Sequence, residues 1–401
     1  MSQCSSPRIY DARDPLCPVS MLSMEHCKTD HRPNPCNDEP MTSIGLIGFE
    51  RSGKTTLFNA LTGAGRPTGF TTHMDPHEGV VPAAEARLTR LSELYQPKKT
   101  TPAVLDVVDF PGAGFSGALG GGNEPPSTKL LDQLSQLDAL VHVVRAFDND
   151  AVPHPAERID PDGDVEAMQL ELTFADLALI EKRLQRIADE TKSMRAAERV
   201  AIDRETDLLR RLQTHLGDGG TLLDAPMSDQ ERGDIRHYRF LTERPMLTIV
   251  NVDEDTAAEG SVEGITLSAR LEEELRDFDE EEATAYREEL GVGAGAVETA
   301  LQETFRLLGL RTFFTVGPDE CRGWTVREGD IAPQAAGKIH TDLERGFIRA
   351  EVVRWDDLLT CGEAVGASGA EAEAKKRALS RTEGKDYEVQ DGDVLHILFN
   401  V

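Results

Sequence analysis

The sequence predicts a doubly wound α/β domain of the P-loop GTPase-like type, interrupted by an α-helical hairpin and followed by a small α+β domain. Three observations predict it. A short apolar run, Ile44–Ile47, leads into G-x-x-x-x-G-K-T from Gly48 to Thr55, and an apolar-periodic stretch follows. Ala103–Asp109, Ala139–Arg145 and Pro245–Asn251 read as buried parallel strands alternating with helical stretches. Between the last two of these strands lie two long segments with helical apolar spacing.

Taken in order, residues 1–41 mix Pro, Asp, Cys and Met without period and read as a disordered leader, or as sequence upstream of a start at Met41. Residues 42–157 and 243–309 are assigned to the nucleotide-binding domain, and residues 158–242 to the helical hairpin. Leu170, Phe174, Leu177, Leu184 and Ile187 are expected on one face of its first helix; Ile202, Leu208, Leu209, Leu212 and Leu216 line the second. Its middle, Lys182 to Arg211, carries nine Lys/Arg against six Asp/Glu. That surplus fits a solvated helical face, or a probe for a polyanion. After Gly309 the pattern changes to short strands, Thr312–Val316 and Val394–Val401, around helix and loop, with turn chemistry from Gly384 to Asp393. Ala367–Lys376 reads as an exposed helix or loop within this last domain, residues 310–401.

Composition narrows the function classes. A net charge of -29 argues against coating nucleic acid through the overall field, although a local basic patch remains compatible. No apolar run approaches a membrane span, so no membrane partner is expected. The six cysteines form no framework: Cys4, Cys17, Cys27 and Cys36 lack close C-x-x-C pairs, which predicts free thiols and a reducing cytoplasm.

The chemistry sits in four motifs. Gly48, Ser52, Gly53, Lys54, Thr55 and Thr56 form a phosphate loop, in which backbone N–H groups and the helix N-terminus face phosphate oxygens. Lys54 reaches the terminal phosphates, and the Thr55 hydroxyl is placed for Mg²⁺. Asp109-Phe110-Pro111-Gly112 ends a buried strand about fifty residues later, where the carboxylate can hold metal-bound water and the Gly112 amide can meet the γ-phosphate. Thr72 is the candidate Mg²⁺ ligand of the first switch. Asn251-Val252-Asp253-Glu254 follows a strand where GTPases carry N-K-x-D, with Glu254 in place of the guanine-reading Asp and Val252 in place of the Lys. Losing those hydrogen bonds removes the guanine bias, so ATP is expected over GTP; a GTPase in which Glu254 still accepts from guanine is the alternative. Ser268 and Ala269 fit the short loop beside the base.

On GLIGFERSGKTTLFNALT, the N-x-x-E loop, HVVRAFDND, APQAAGKIHTDLERGFIRAEVV and EGKDYEVQDGDVLHILFNV, the chain from Thr42 to Val401 resembles the YchF-type Obg-like ATPases. The resemblance implies that the last domain is a β-grasp TGS domain. It also implies slow hydrolysis of ATP in preference to GTP and association with the ribosome, in translational or stress regulation. DNA is not expected as a partner, and a monomer is expected.

Ala113 stands where Ras-like enzymes place a water-orienting Gln. The resemblance offers His154 as a catalytic candidate; a surface-loop histidine fits equally, while His142, inside its strand, reads as structural. Family members carry Asn at the position of Arg51, where it can help hold K⁺. Arg51 is either an intramolecular arginine finger, which would make hydrolysis independent of K⁺, or an exposed side chain. A scaffold gated by nucleotide with negligible turnover is the reading from another class.

Overall fold

The computed structural model describes residues 42–68, 75–83, 85–110, 126–150, 152, 154, 158–193, 199–253, 262–290 and 295–400. All belong to one unit, Glu39–Val401. Thr72, Gly112, Ala113, Glu254 and the leader lie outside the described residues.

The apolar run before the phosphate loop is β1 (Ser43–Ile47), and α1 (Lys54–Thr62) follows the loop. Next come β2 (His77–Pro82), α2 (Ala86–Tyr95), β3 (Lys99–Thr101), β4 (Val104–Asp109), α3 (Thr128–Leu134) and β5 (Ala139–Arg145). The insertion supplies α4 (Pro161–Glu190), α5 (Arg199–Gly217) and α6 (Asp229–Ile235). The chain then returns through β6 (Met246–Asn251), β7 (Ile265–Leu267), α7 (Ala269–Leu275), α8 (Glu280–Leu290) and α9 (Ala296–Leu307).

The first sheet has the order β2-β4-β1-β5-β6-β7, parallel except for β2. Its apolar residues cover both faces, as parallel strands require. Ile44, Leu46, Val107 and Val141 pack on Leu57 and Phe58 of α1 and on Ala300 and Leu301 of α9. Ile47 and Leu140 pack on Leu134 of α3 and on Ala167, Met168 and Leu172 of α4. Because β1, β4 and β6 run the same way, the phosphate loop, Asp109 and Asn251 emerge at one end of the sheet.

The hairpin forms as the spacing predicts, with one correction. Ile180 and Ile187 of α4 meet Leu208, Leu209, Leu212 and Leu216 of α5, and Leu177, Leu184 and Ile202 pack beside them. Leu170 and Phe174, expected on the same face, are instead exposed, at 44% and 60%. The first half of α4 packs on the sheet through Ala167, Met168 and Leu172, which turns those two outward. Asp176, buried, accepts from the backbone N–H groups of Leu241 and Thr242 and from the Thr242 hydroxyl, tying the returning chain to α4.

The last part contains β8 (Leu310–Thr315), β9 (Glu320–Arg327), α10 (Ala332–Ile339), α11 (Thr341–Arg345), β10 (Phe347–Arg354), α12 (Trp355–Val365), α13 (Ala367–Lys376), β11 (Arg381–Glu383) and β12 (Asp393–Phe399). The run from Ala367 is a helix that buries Ala370 and Ala374. The second sheet has the order β11-β10-β12-β8-β9-β3.

β3 corrects the expected domain limits. The segment 86–101, assigned from sequence to the nucleotide-binding domain, is built into the C-terminal sheet, where β3 runs parallel to β9. Leu88 and Leu91 of α2 are buried with Phe314, Leu358 and Leu359, and Arg87 pairs with Asp391 at 2.5 Å. Apolar contact with the later domain outweighs sequence neighbourhood here. Among the described residues no helix is long and apolar enough to cross a membrane.

Candidate functional site

The phosphate loop owes its shape to backbone only glycine tolerates. Gly48 has φ 149°, and a Cβ there would come within 2.4 Å of the Val143 carbonyl. Gly53, the residue before α1, has φ 94°, and its Cβ would lie 2.1 Å from Asn251 Nδ2. Lys54 follows, and its ammonium donates to the Gly48 and Phe49 carbonyls at 2.8 and 2.7 Å. Burial pulls its pKa down to about 8, against the charges of Asp109 and Glu50. Ser52 is buried, and its hydroxyl lacks a partner among the described residues; Thr56 stands in the first turn of α1.

Thr55 Oγ1 donates to Asp109 Oδ2 at 2.8 Å. Asp109 is fully buried at the end of β4, and its Oδ1 has no hydrogen-bond partner among the described residues. A hydroxyl oxygen beside an orphaned buried carboxylate oxygen is a hard donor set that fits Mg²⁺. His77, which the sequence reading missed, brings Nδ1 to 3.1 Å from Asp109 Oδ2. Its only sequence signal is its place just after the expected first switch.

Asn251 ties the site together. Its Nδ2 donates to the Ser52 carbonyl and its Oδ1 accepts from Ala269 N, both at 2.9 Å. Val252 N bonds the Leu267 carbonyl at 3.0 Å, and Ser268 caps α7 by accepting from Leu271 N. The structure thus brings Asn251, Ser268 and Ala269 to the rim of the phosphate loop.

Arg145 is a second residue that sequence reasoning passed over. It ends β5 fully buried, with its guanidinium over the Phe147 ring and donating to the Phe147 and Val152 carbonyls. A lone Arg closing an otherwise apolar strand was the available signal. Arg51 is exposed in the left-handed region, φ 59°, and its carbonyl faces Arg145 Nη1 at 3.5 Å. His154 sits beside the first turn of α4, with Nε2 3.8 Å from Asp164 Oδ2. Burial, and then the charges of Arg145 and Arg158, hold its pKa below the ordinary value; burial pushes Asp164 up to about 6. His142 is fully buried in β5 with both ring nitrogens unpartnered among the described residues; burial, and then the Lys54 charge, pull it down to about 3.

A parallel sheet whose central strand feeds a lysine-closed glycine loop, with a buried Asp at the end of the adjoining strand, defines a P-loop nucleoside triphosphatase of the G-domain type. The comparisons narrow the class. The chain is similar to the ribosome-binding ATPase YchF of Bacillus subtilis, 37% identical over 380 residues covering 90% of this chain and 99% of that protein. The Obg-like ATPase 1 of Xenopus laevis is 33% identical over 382 residues, covering 89% and 92%. The solved YchF GTPase of Schizosaccharomyces pombe matches at a TM-score of 0.74 and 27% identity, over 90% of this chain and 99% of that one. The family model YchF-GTPase_C, described as a protein of unknown function (DUF933), matches residues 310–400. The chain belongs to the YchF family.

Proposed function

We propose that this chain is a Mg²⁺-dependent nucleotide switch that binds ATP in preference to GTP, hydrolyses it slowly and engages the ribosome in the cytoplasm. The observation that carries the reading is the closed cradle. The Lys54 ammonium sits on the Gly48 and Phe49 carbonyls, and Thr55 meets Asp109, so the cradle is preformed for a triphosphate tail. Ribosome engagement is supported by the B. subtilis relative, a ribosome-binding ATPase that this chain matches over nearly its whole length.

In this reading Gly48, Ser52, Gly53 and Thr56 present the loop and first helical turn to phosphate oxygens. Lys54 neutralises the terminal phosphates. Thr55 and Asp109 would hold Mg²⁺, with Thr72 as the first-switch candidate; when bound, the ion supplies charge neutralisation of the phosphates. Asn251 fixes the loop to the base side, where Val252, Ser268 and Ala269 border the base and Glu254 disfavours guanine. Gly112 meets the γ-phosphate. His154, whose pKa burial and the charges of Arg145 and Arg158 hold below the ordinary value, is the group nearest in kind to a water-orienting base, and Arg51 supplies positive charge that makes K⁺ unnecessary. Residues 42–157 with 243–309, 158–242 and 310–401 act as the working modules of a monomer, with segment 86–101 riding on the last.

The test is competition of ATP and GTP for one site by calorimetry, followed by single-turnover phosphate release with and without ribosomes. ATP is expected to bind more tightly, and Lys54→Ala to abolish binding and release. Tighter binding of GTP overturns the adenine assignment. Binding without release, on or off the ribosome, leaves a nucleotide-gated scaffold in place of an enzyme.

A further inference from the structure

His77 stands on the metal side of the cradle and has no part in the reading above. It opens β2, directly opposite Asp109 in the antiparallel ladder. Directly opposed residues place their side chains on the same face of the sheet, here the face that packs on α1. The imidazole ring lies 6.1 Å from the ring of fully buried Phe58 in that helix. Gly79, two residues on and on the same face, makes the approach possible. A Cβ there would come within 2.6 Å of Thr62 Cγ2 and 2.8 Å of Phe58 Cζ. A residue without a side chain thus lets this edge strand close down on α1, which carries His77 over the Asp109 carboxylate.

The contact is unevenly shared between the two carboxylate oxygens. Nδ1 lies 3.1 Å from Oδ2, and the Thr55 hydroxyl donates to the same oxygen at 2.8 Å. A carboxylate oxygen only accepts, so the ring nitrogen facing it carries the proton. Oδ2 therefore takes two donors, one from the phosphate-loop helix and one from β2. Oδ1 takes none among the described residues. A carboxylate held at one oxygen from two directions cannot turn about its Cβ–Cγ bond without breaking both bonds. With Thr55 alone as donor, either oxygen serves equally well and the group is free to turn.

We infer that His77 is a positioning residue for Mg²⁺: its Nδ1–H fixes Asp109 Oδ2 so that Oδ1 is the oxygen kept for the ion or its bound water. The inference deepens the nucleotide-switch reading and rests on its assignment of Thr55 and Asp109 to the metal. Groups that orient a metal-binding carboxylate act before the ion arrives, by removing the conformations that cannot bind it. His77 touches neither nucleotide nor metal in this role. Its effect falls on the part of ATP affinity that Mg²⁺ contributes, and the cradle of Lys54, Gly48 and Phe49 is untouched by it. The competing account is that the imidazole merely fills space against Phe58. The two differ in whether the N–H or the volume matters.

The experiment is calorimetry of ATP on the full chain, with Mg²⁺ and with chelator, for the native protein and for His77→Leu, His77→Phe and His77→Asn. The first two variants fill the space against Phe58 without a donor, so that either serves if the other folds poorly. The third returns an N–H one bond beyond Cγ, where Nδ1 stands. The gain in affinity that Mg²⁺ brings is expected to fall about tenfold in His77→Leu and His77→Phe and to stay within about twofold of native in His77→Asn. ATP affinity in chelator, alike in all four, shows that the loop is intact. Ring ¹⁵N spectra of the nucleotide-free chain, with the His77 signals assigned by their loss in His77→Asn, are expected to place the proton on Nδ1. A proton on Nε2 overturns the inference. So does a Mg²⁺ gain that survives in the variants without a donor, which leaves the metal reading of Thr55 and Asp109 standing. An equal loss in all three variants also overturns it and assigns the effect to packing. If the native chain gains nothing from Mg²⁺, the metal reading falls and the inference with it.

Discussion

Asn251→Ala is the sharpest perturbation of the site. The side chain is 4% exposed and makes two hydrogen bonds of 2.9 Å, one to the loop at Ser52 and one from α7 at Ala269. Each bond contributes about 0.5–1.5 kcal/mol net, and stranding the buried Ala269 N–H adds about 1–3 kcal/mol. The variant should therefore lose about 2–6 kcal/mol in urea unfolding, and ATP affinity should drop with it, because the loop is no longer pinned. Gly53 supplies an internal control. Gly53→Ala alone meets both the positive φ and a collision with Asn251 Nδ2, whereas in the Asn251→Ala background only the φ cost remains. The double-mutant cycle should thus show Gly53→Ala to be milder once Asn251 is truncated. Additivity within about 0.5 kcal/mol, with unchanged ATP affinity, would refute the clamp.

Arg51→Asn should lower single-turnover hydrolysis and introduce a dependence on K⁺, without loss of stability, because Asn tolerates the left-handed region better than Arg; equal rates in Na⁺ and K⁺ for both proteins would exclude the arginine-finger role. His142 should impose an acid sensitivity. Its folded pKa of about 3 lies below the ordinary 6.5, so as pH falls below about 6.5 the unfolded chain takes up a proton the folded chain refuses. Between pH 7 and pH 5 that linkage removes about 2 kcal/mol, and His142→Leu should lose correspondingly less over the same interval in urea titrations; matching losses in the two proteins would show the imidazole to be partnered in solution. Asp109→Asn should weaken Mg²⁺-dependent ATP binding at least tenfold while leaving Mg²⁺-free binding nearly unchanged, read by calorimetry with and without chelator.

Much of this was legible in the chain because the signals are local. Ala139–Arg145 is a strand with the bounds its apolar run implies, and the glycine loop sits where its spacing puts it. Long-range choices were not legible. Lys99–Thr101 carries no alternating apolar pattern, so nothing in it announces a pairing with Glu320–Arg322. The face of α4 was half misread because one helix serves two partners, the sheet first and the hairpin afterwards, and a single stripe cannot describe both. His77 was missed for a related reason: it meets Asp109 through strand register, not through neighbours in sequence. Arg145 was missed although its partners Phe147 and Val152 lie close by in sequence, because nothing in that stretch announces that the chain folds back over the guanidinium.

The placement of β3 and α2 has a practical consequence for anyone dividing the gene. A fragment ending at Gly309 would keep Leu88 and Leu91 but lose the side chains that shield them, and would bare the unpaired backbone of Lys99–Thr101. A fragment starting at Leu310 would lack its sixth strand and a wall of its oily interior. Both halves should be sticky and poorly behaved, so shortened versions meant to isolate ATP turnover need to carry their own replacement for the missing cover.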